Sequence, residues 1–159
     1  MSTQRETLQQ HLSNSRAALL QCLQPLDEAQ WQTVVFSEEN QWTAADILRH
    51  LVEAQRGMAA QIAQIQAGGT GVSEGFDLSR WNNRAVSKNQ NKTPAELLTE
   101  LEEGRANLLM LLDNMGEDDW QKKGRHGSGR ILTIAEIFQI VGDHEIVHTN
   151  DIEQALNSL

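Results

Sequence analysis

A chain of 159 residues with 13 basic and 22 acidic side chains carries a net charge of −9. It can bury roughly two thirds of its unfolded surface in its own core, yet most of its surface repels a polyanion, which excludes nucleic acid as the expected partner. Hydrophobic residues at 39% and charged residues at 22% belong to a folded protein, and the lone Cys22 excludes an internal disulfide.

Cys22 lies in a leucine-rich stretch and is expected to be a buried, inert thiol. Residues 1–159 are expected to form one domain. The opening residues contain no apolar signal core, and nowhere do eighteen apolar residues follow one another. No membrane association and a cytoplasmic location are therefore expected.

The first helix is marked by Thr3-x-x-Glu6 and carries the stripe Leu8, Leu12, Leu19, Leu23 and Leu26. A Thr followed three residues later by Asp or Glu caps free backbone N–H groups reciprocally. Thr43-x-x-Asp46 opens the second helix, whose stripe is Ile47, Leu51, Ala54, Met58, Ile62 and Ile65. A crossover of 25 residues, Gly68 to Lys92, follows. Its Gly68-Gly69-Thr70-Gly71 start lacks the Lys-Ser/Thr of a phosphate loop, which leaves a flexible connection as the reading. Connections this long generally carry structure or function, and a short helix is expected near Asp77 to Lys88.

Thr93-x-x-Glu96, with Pro94 at the first helical position, opens the third helix with Leu97, Leu101, Leu108, Leu112 and Met115. Thr133-x-x-Glu136 opens the fourth with Ile134, Ile137, Val141, Ile152 and Ala155. No alternating run is long enough to predict a strand. The fold class is therefore all-α, a four-helix bundle.

The chain also repeats itself. Arg16-Ala17, Leu19-Leu20, Leu23 and Trp31 match Arg105-Ala106, Leu108-Leu109, Leu112 and Trp120 at an offset of 89, and the second and fourth helix starts match at 90. This pattern predicts an internal duplication with a pseudo-two-fold axis, the long crossover joining helices 2 and 3. Trp31, Trp42 and Trp120 are expected to be core or staple residues, and Trp81 to lie where it can roof a site.

The fourth helix contains His144-Glu145-x-x-His148, a spacing that puts two imidazoles on one helical face. A catalytic zinc needs a third protein ligand, and the eleven residues after His148 contain no histidine, which argues against a protease. His50 lies within the inward stripe of the second helix, the duplicate of the fourth. Facing helices of a bundle build metal sites from such positions, so His50, His144 and His148 together make a three-imidazole site. A di-iron centre is disfavoured because Glu145-x-x-His148 is the lone Glu-x-x-His motif.

Residues 42–51, Trp-Thr-Ala-Ala-Asp-Ile-Leu-Arg-His-Leu, and His144-x-x-x-His148-x-x-Asp151-Ile152 resemble the two signature segments of the DinB-like superfamily. The resemblance spans essentially the whole chain. It implies an up-down-down-up bundle binding one divalent metal through His50, His144 and His148. It also implies kinship with mycothiol-dependent maleylpyruvate isomerases and bacillithiol S-transferases, hence a low-molecular-weight thiol cosubstrate. The family often has Gln where this chain has Asp151.

Zinc, nickel and iron all suit three neutral imidazoles. Glu145, beside the ligands, is the expected general base, and Asp151 is expected to orient a ligand through its far ring nitrogen. Arg49, Arg80 and Arg84 are candidates to hold a substrate carboxylate, with Trp81 beside them. The expected function is thiol S-transfer or isomerisation on a small molecule. The alternatives are a hydrolase using metal-activated water, and a non-catalytic metal-stabilised stress or binding module, including a homodimer through exposed helix faces. His11 and His126 are expected at the surface or rim.

Overall fold

The computed structural model describes residues 3–159; Met1 and Ser2 lie outside the described residues. In chain order the elements are α1 (Gln4–Leu23), α2 (Glu28–Trp31), β1 (Val34–Ser37), β2 (Asn40–Thr43), α3 (Ala44–Gln66), α4 (Leu78–Lys88), α5 (Pro94–Asp113), β3 (Lys123–Arg125), β4 (Ile131–Thr133) and α6 (Ile134–Asn157). The long helices α1, α3, α5 and α6 form the bundle. Thr3, Thr43, Thr93 and Thr133 cap them, and the reciprocal box is complete at Thr43 and Thr133. The short helix α4 occupies the expected part of the crossover, with Asp77 as its cap.

Pairs of contacting residues give the helix directions. His11 of α1 lies against Gly142 of α6 and Arg16 against Glu145, so these two run parallel. Arg49 and Gln55 of α3 bond the carbonyls of Lys92 and Leu101, so α3 and the start of α5 also run together. Arg5 bonds the Leu112 carbonyl while Arg16 bonds Glu102, which makes α1 and α5 antiparallel. The order is up, down, down, up, as the family resemblance implied. Two parallel neighbours, α3 and α5, require the long crossover.

Two small antiparallel hairpins correct the expectation that strands are absent: β1 pairs with β2 and β3 with β4. Their strands are three or four residues long, too short for a period-two pattern to register. The two hairpins are counterparts in the repeat. Each ends at the Thr cap of the next long helix, and Ala44 and Ile134 donate to the Thr33 and Lys122 carbonyls at equivalent places. In the first hairpin Ser37 faces Asn40, which leaves Glu38-Glu39 as a two-residue turn with φ of 48° and 66°. Turns of this kind need positive φ at both central positions and favour Asn-Gly. Two glutamates there hold a backbone that L side chains disfavour by roughly 1 kcal/mol each.

The expected stripes are buried except at Leu26, which lies beyond the end of α1, and Ala155, both partly buried. Leu8, Leu12, Met58, Ile62, Leu108, Leu112 and Ile137 join one hydrophobic cluster, and Leu19, Leu23, Ile47, Leu97, Leu101 and Ile152 join another. On every long helix a buried polar residue lies at or beside the junction of the two clusters: Arg16, Gln55, Arg105 and Glu145. Arg16 bonds Glu145 at 2.6 and 2.9 Å, and Arg105 bonds its other oxygen at 2.7 Å. Both guanidiniums also donate to Gln55 Oε1. The repeat is visible atom by atom. Arg16 donates to the Leu101 carbonyl and Arg105 to that of Leu12, positions that are again 89 apart. Trp31, Trp42 and Trp120 are buried in the two clusters.

Candidate metal centre

His50 stands on the second turn of α3, inside the stripe that begins at Ile47. His144 and His148 stand one turn apart on α6, and α3 and α6 run antiparallel in the bundle. The three imidazoles therefore meet edge to edge: His144 Nε2 lies 3.1 Å from His50 Nε2 and 3.0 Å from His148 Nε2. The hairpin tip adds Glu38, with its carboxylate 2.8 Å from His144 Nε2, 3.2 Å from His148 Nε2 and 3.5 Å from His50 Nε2. One ligand atom from each of the four lies within 4.8 Å of all the others.

The protonation pattern suits a cation. Burial drives His50 down to about 4, with the bond to Glu38 opposing and the neighbouring histidines adding. Burial likewise lowers His148. Both are neutral at pH 7 and keep a lone pair. Glu38 is pushed up by burial, but the three imidazoles around its carboxylate outweigh this and hold it well below the usual carboxylate range.

His148 is oriented from behind. Ser37 Oγ lies 2.8 Å from its Nδ1 and donates a short hydrogen bond to Asp151. Because the single Ser37 hydroxyl proton goes to Asp151, Ser37 accepts from Nδ1–H, and the His148 lone pair is on Nε2, facing the centre. Trp42 packs against His50 with ring centroids 5.1 Å apart. Three inward imidazole nitrogens with a carboxylate, one imidazole held in the required tautomer, form a donor set that fits a divalent ion such as zinc, nickel or iron.

A cleft of about 920 Å³ opens beside the cluster, lined by His50, His144 and Glu38 at one end. Phe76, Leu78 and Trp81 form its outer wall; the Trp81 ring rests on Gly57, 3.2 Å from where a Cβ would stand. The crossover is pinned there by the second hairpin: Arg125 donates to the Thr70 carbonyl and accepts from Val72 N–H. Gly71 passes within 2.2 Å of Arg125 at its Cβ position with φ of 87°, so glycine is required at that crossing.

The other sequence candidates fall in different places. Glu145 is adjacent in sequence to His144, but its carboxylate points into the buried Arg16–Arg105 cluster and accepts from Ser15 as well. Asp151 reaches His148 through Ser37 rather than directly. Trp81 lines the cleft, while Arg80 and Arg84 are exposed and are not among its lining residues. Arg49 is buried and spent on Asp46 and on the Asn89 and Lys92 carbonyls. His126 lies at the rim and accepts from Ser128 N–H at Nδ1. His11 packs over Gly142 and bonds Asp143.

Glu38 and Ser37 were missed by sequence reasoning. Their signal was faint: an acidic residue four to five places ahead of a Trp-Thr helix start, on a turn whose composition does not announce a hairpin.

The DinB superfamily matches residues 11–152. No curated protein matches the chain. Among solved structures the chain is similar to YfiT from Bacillus subtilis, described as a probable metal-dependent hydrolase with an unusual four-helix bundle topology. The TM-score is 0.80 at 16% identity, over 99% of this chain and 89% of that one. The mycothiol-dependent maleylpyruvate isomerase aligns with a TM-score of 0.75 at 18% identity, over 96% of this chain but 63% of the longer isomerase. The colibactin self-resistance protein ClbS, solved in complex with a dsDNA, aligns at 0.73 and 17% identity, over 96% and 94%. At these identities the likeness establishes the shared fold.

Proposed function

The chain belongs to the DinB superfamily, and from that premise we propose that it is a divalent-metal-dependent enzyme that activates a small thiol for transfer to, or isomerisation of, a second small molecule. The observation that carries the reading is the convergence of His50, His144, His148 and Glu38 at the end of a largely apolar cleft. A divalent ion held by the three imidazoles supplies Lewis-acid chemistry that favours loss of a proton from a thiol or from water.

The protein's own residues supply the rest. Asp151, through Ser37, fixes the His148 tautomer. Glu38 brings a carboxylate to the three imidazoles and takes the role first given to Glu145: it accepts the proton of the incoming S–H. The sulfur electron pair then forms the bond to the electrophilic carbon of the second substrate. In transfer, the leaving group departs with its bonding pair, as chloride does from 1-chloro-2,4-dinitrobenzene. In isomerisation, the carbon's displaced π pair re-forms the double bond and expels the thiolate, which takes back the proton from Glu38. The apolar wall of Phe76, Leu78 and Trp81 excludes water and strengthens these charge interactions. A cleft of about 920 Å³ is at the upper end for small-molecule sites, which supports two reactants rather than one.

The second reading is hydrolysis, with Glu38 taking a proton from water instead. It is favoured by the description of YfiT as a probable metal-dependent hydrolase. Turnover of an electrophile such as 1-chloro-2,4-dinitrobenzene with and without added thiol tests the choice. Product that forms in proportion to thiol and disappears in Glu38→Gln is expected. Thiol-independent release of hydrolysed product would transfer the proposal to the second reading.

A further inference from the structure

Three buried side-chain polar atoms lack a partner among the described residues: His50 Nδ1, Gln61 Oε1 and Asn82 Oδ1. All three residues line the one cleft. Asn82 is 6% exposed, so water does not freely satisfy it, and buried carbonyl oxygens are rarely left unpaired without a reason.

Their placement gives the cleft a direction. His50, Ala54, Gly57 and Gln61 succeed one another at helical spacing along one face of α3, so Gln61 lies about 16 Å along the axis from His50. Asn82 follows Trp81, whose ring covers Gly57. Along α3, between His50 and Gln61, the lining is Ala54, Gly57, Met58 and Ala60. No Lys or Arg is among the lining residues, whose charged members are Glu38 and Glu39. An anionic tail would therefore be buried without a cation to meet it.

Resting on the reading of this cleft as the substrate site of a metal enzyme, we propose that it selects an uncharged or cationic ligand. The ligand has an apolar body and carries N–H or O–H donors that reach Gln61 Oε1 and Asn82 Oδ1. Ligands with a carboxylate tail are rejected. Recognition of this sort is sharp because a carboxylate tail would lose its hydration with no cation to replace it, whereas an uncharged tail can pair with the two side-chain amides.

The test is calorimetric titration of zinc-loaded protein, its metal content measured, with 4'-(mercaptomethyl)biphenyl-4-carboxamide and the corresponding 4-carboxylate, whose thiol-to-tail length of roughly 12 Å approaches the separation of the histidines from Gln61. These thiols share shape and differ at the tail. The amide is expected to bind at least about tenfold more tightly. In Gln61→Met and Asn82→Leu, with metal content unchanged, the ratio falls towards one. Equal affinities in the wild type, no binding of either thiol, or an unchanged ratio in both variants overturns the proposal. The thiol-free pair 4-methoxybenzamide and 4-methoxybenzoate on metal-stripped protein, followed by the Trp81 indole N–H resonance, separates this inference from the metal reading. Amide-selective shifts in a protein that retains no zinc keep the selectivity and remove the metal; equal or absent shifts remove the selectivity itself.

Discussion

Glu38 Oε1 lies 2.8 Å from His144 Nε2, so the tip of a two-stranded hairpin completes a cluster whose other members come from two helices of the bundle. The tip holds Glu38 and Glu39 at positive φ, and the two residues are expected to behave differently. Glu39→Gly should relieve backbone strain and raise Tm by about 1–3 °C with metal affinity unchanged. Glu38→Gln should weaken metal affinity about tenfold or more while the circular dichroism stays the same. Thermal melts and metal titrations of the two variants check this; a loss of affinity in Glu39→Gly alone contradicts it.

Asp151 acts on the centre through Ser37. Asp151→Asn and Ser37→Ala should each reduce metal affinity by about tenfold, and the double variant should lose little more than either alone because both break one chain of bonds. Competition with a chromophoric chelator measures the three. Additive losses would show that the two residues act separately.

The buried polar layer is assigned to the fold and not to the chemistry. Glu145→Ala leaves Arg16 and Arg105 facing each other without their carboxylate, a change of the kind that costs about 3–5 kcal/mol. The urea midpoint should fall accordingly, while protein that remains folded binds metal as before. A stable Glu145→Ala protein that has lost metal binding would return Glu145 to the site.

Helix boundaries and the histidine cluster were legible because each has a strong local signature. Four Thr caps, Pro94 and the 89-residue offset fix the bundle and its pairing, and His50 lies on the stripe that must face α6. The hairpins were not legible, since three-residue strands leave no period and a Glu-Glu turn contradicts ordinary turn chemistry. Glu38 was hidden for the same reason. Glu145 misled because sequence adjacency to His144 does not survive a helix: neighbouring residues point about 100° apart. Its direction is set by Arg16 and Arg105, which the repeat identified as equivalent without showing that they share one partner.

Acid should act on the metal-free protein in a defined window. His50 is near 4 in the folded chain, lowered mainly by burial, against about 6.5 when unfolded. Between these values the unfolded chain binds more protons, so stability is full above about pH 6.5 and falls as pH drops towards 4. His148 is lowered in the same direction. Urea midpoints for metal-free protein at pH 7.5, 5.5 and 4.5 should decline in that order, and His50→Ala should flatten the trend. A midpoint that rises on acidification contradicts the assignment of neutral, buried imidazoles.

The central claim is that His50, His144 and His148 hold one divalent ion beside the Glu38 carboxylate. Elemental analysis of the purified protein, with the same measurement on His50→Ala, His144→Ala and His148→Ala after zinc loading and dialysis, tests it most directly. The account predicts about one zinc per wild-type chain, as for a single three-imidazole site, and near-complete loss in each variant with helix content retained. Equal zinc in the wild type and the folded variants would contradict it.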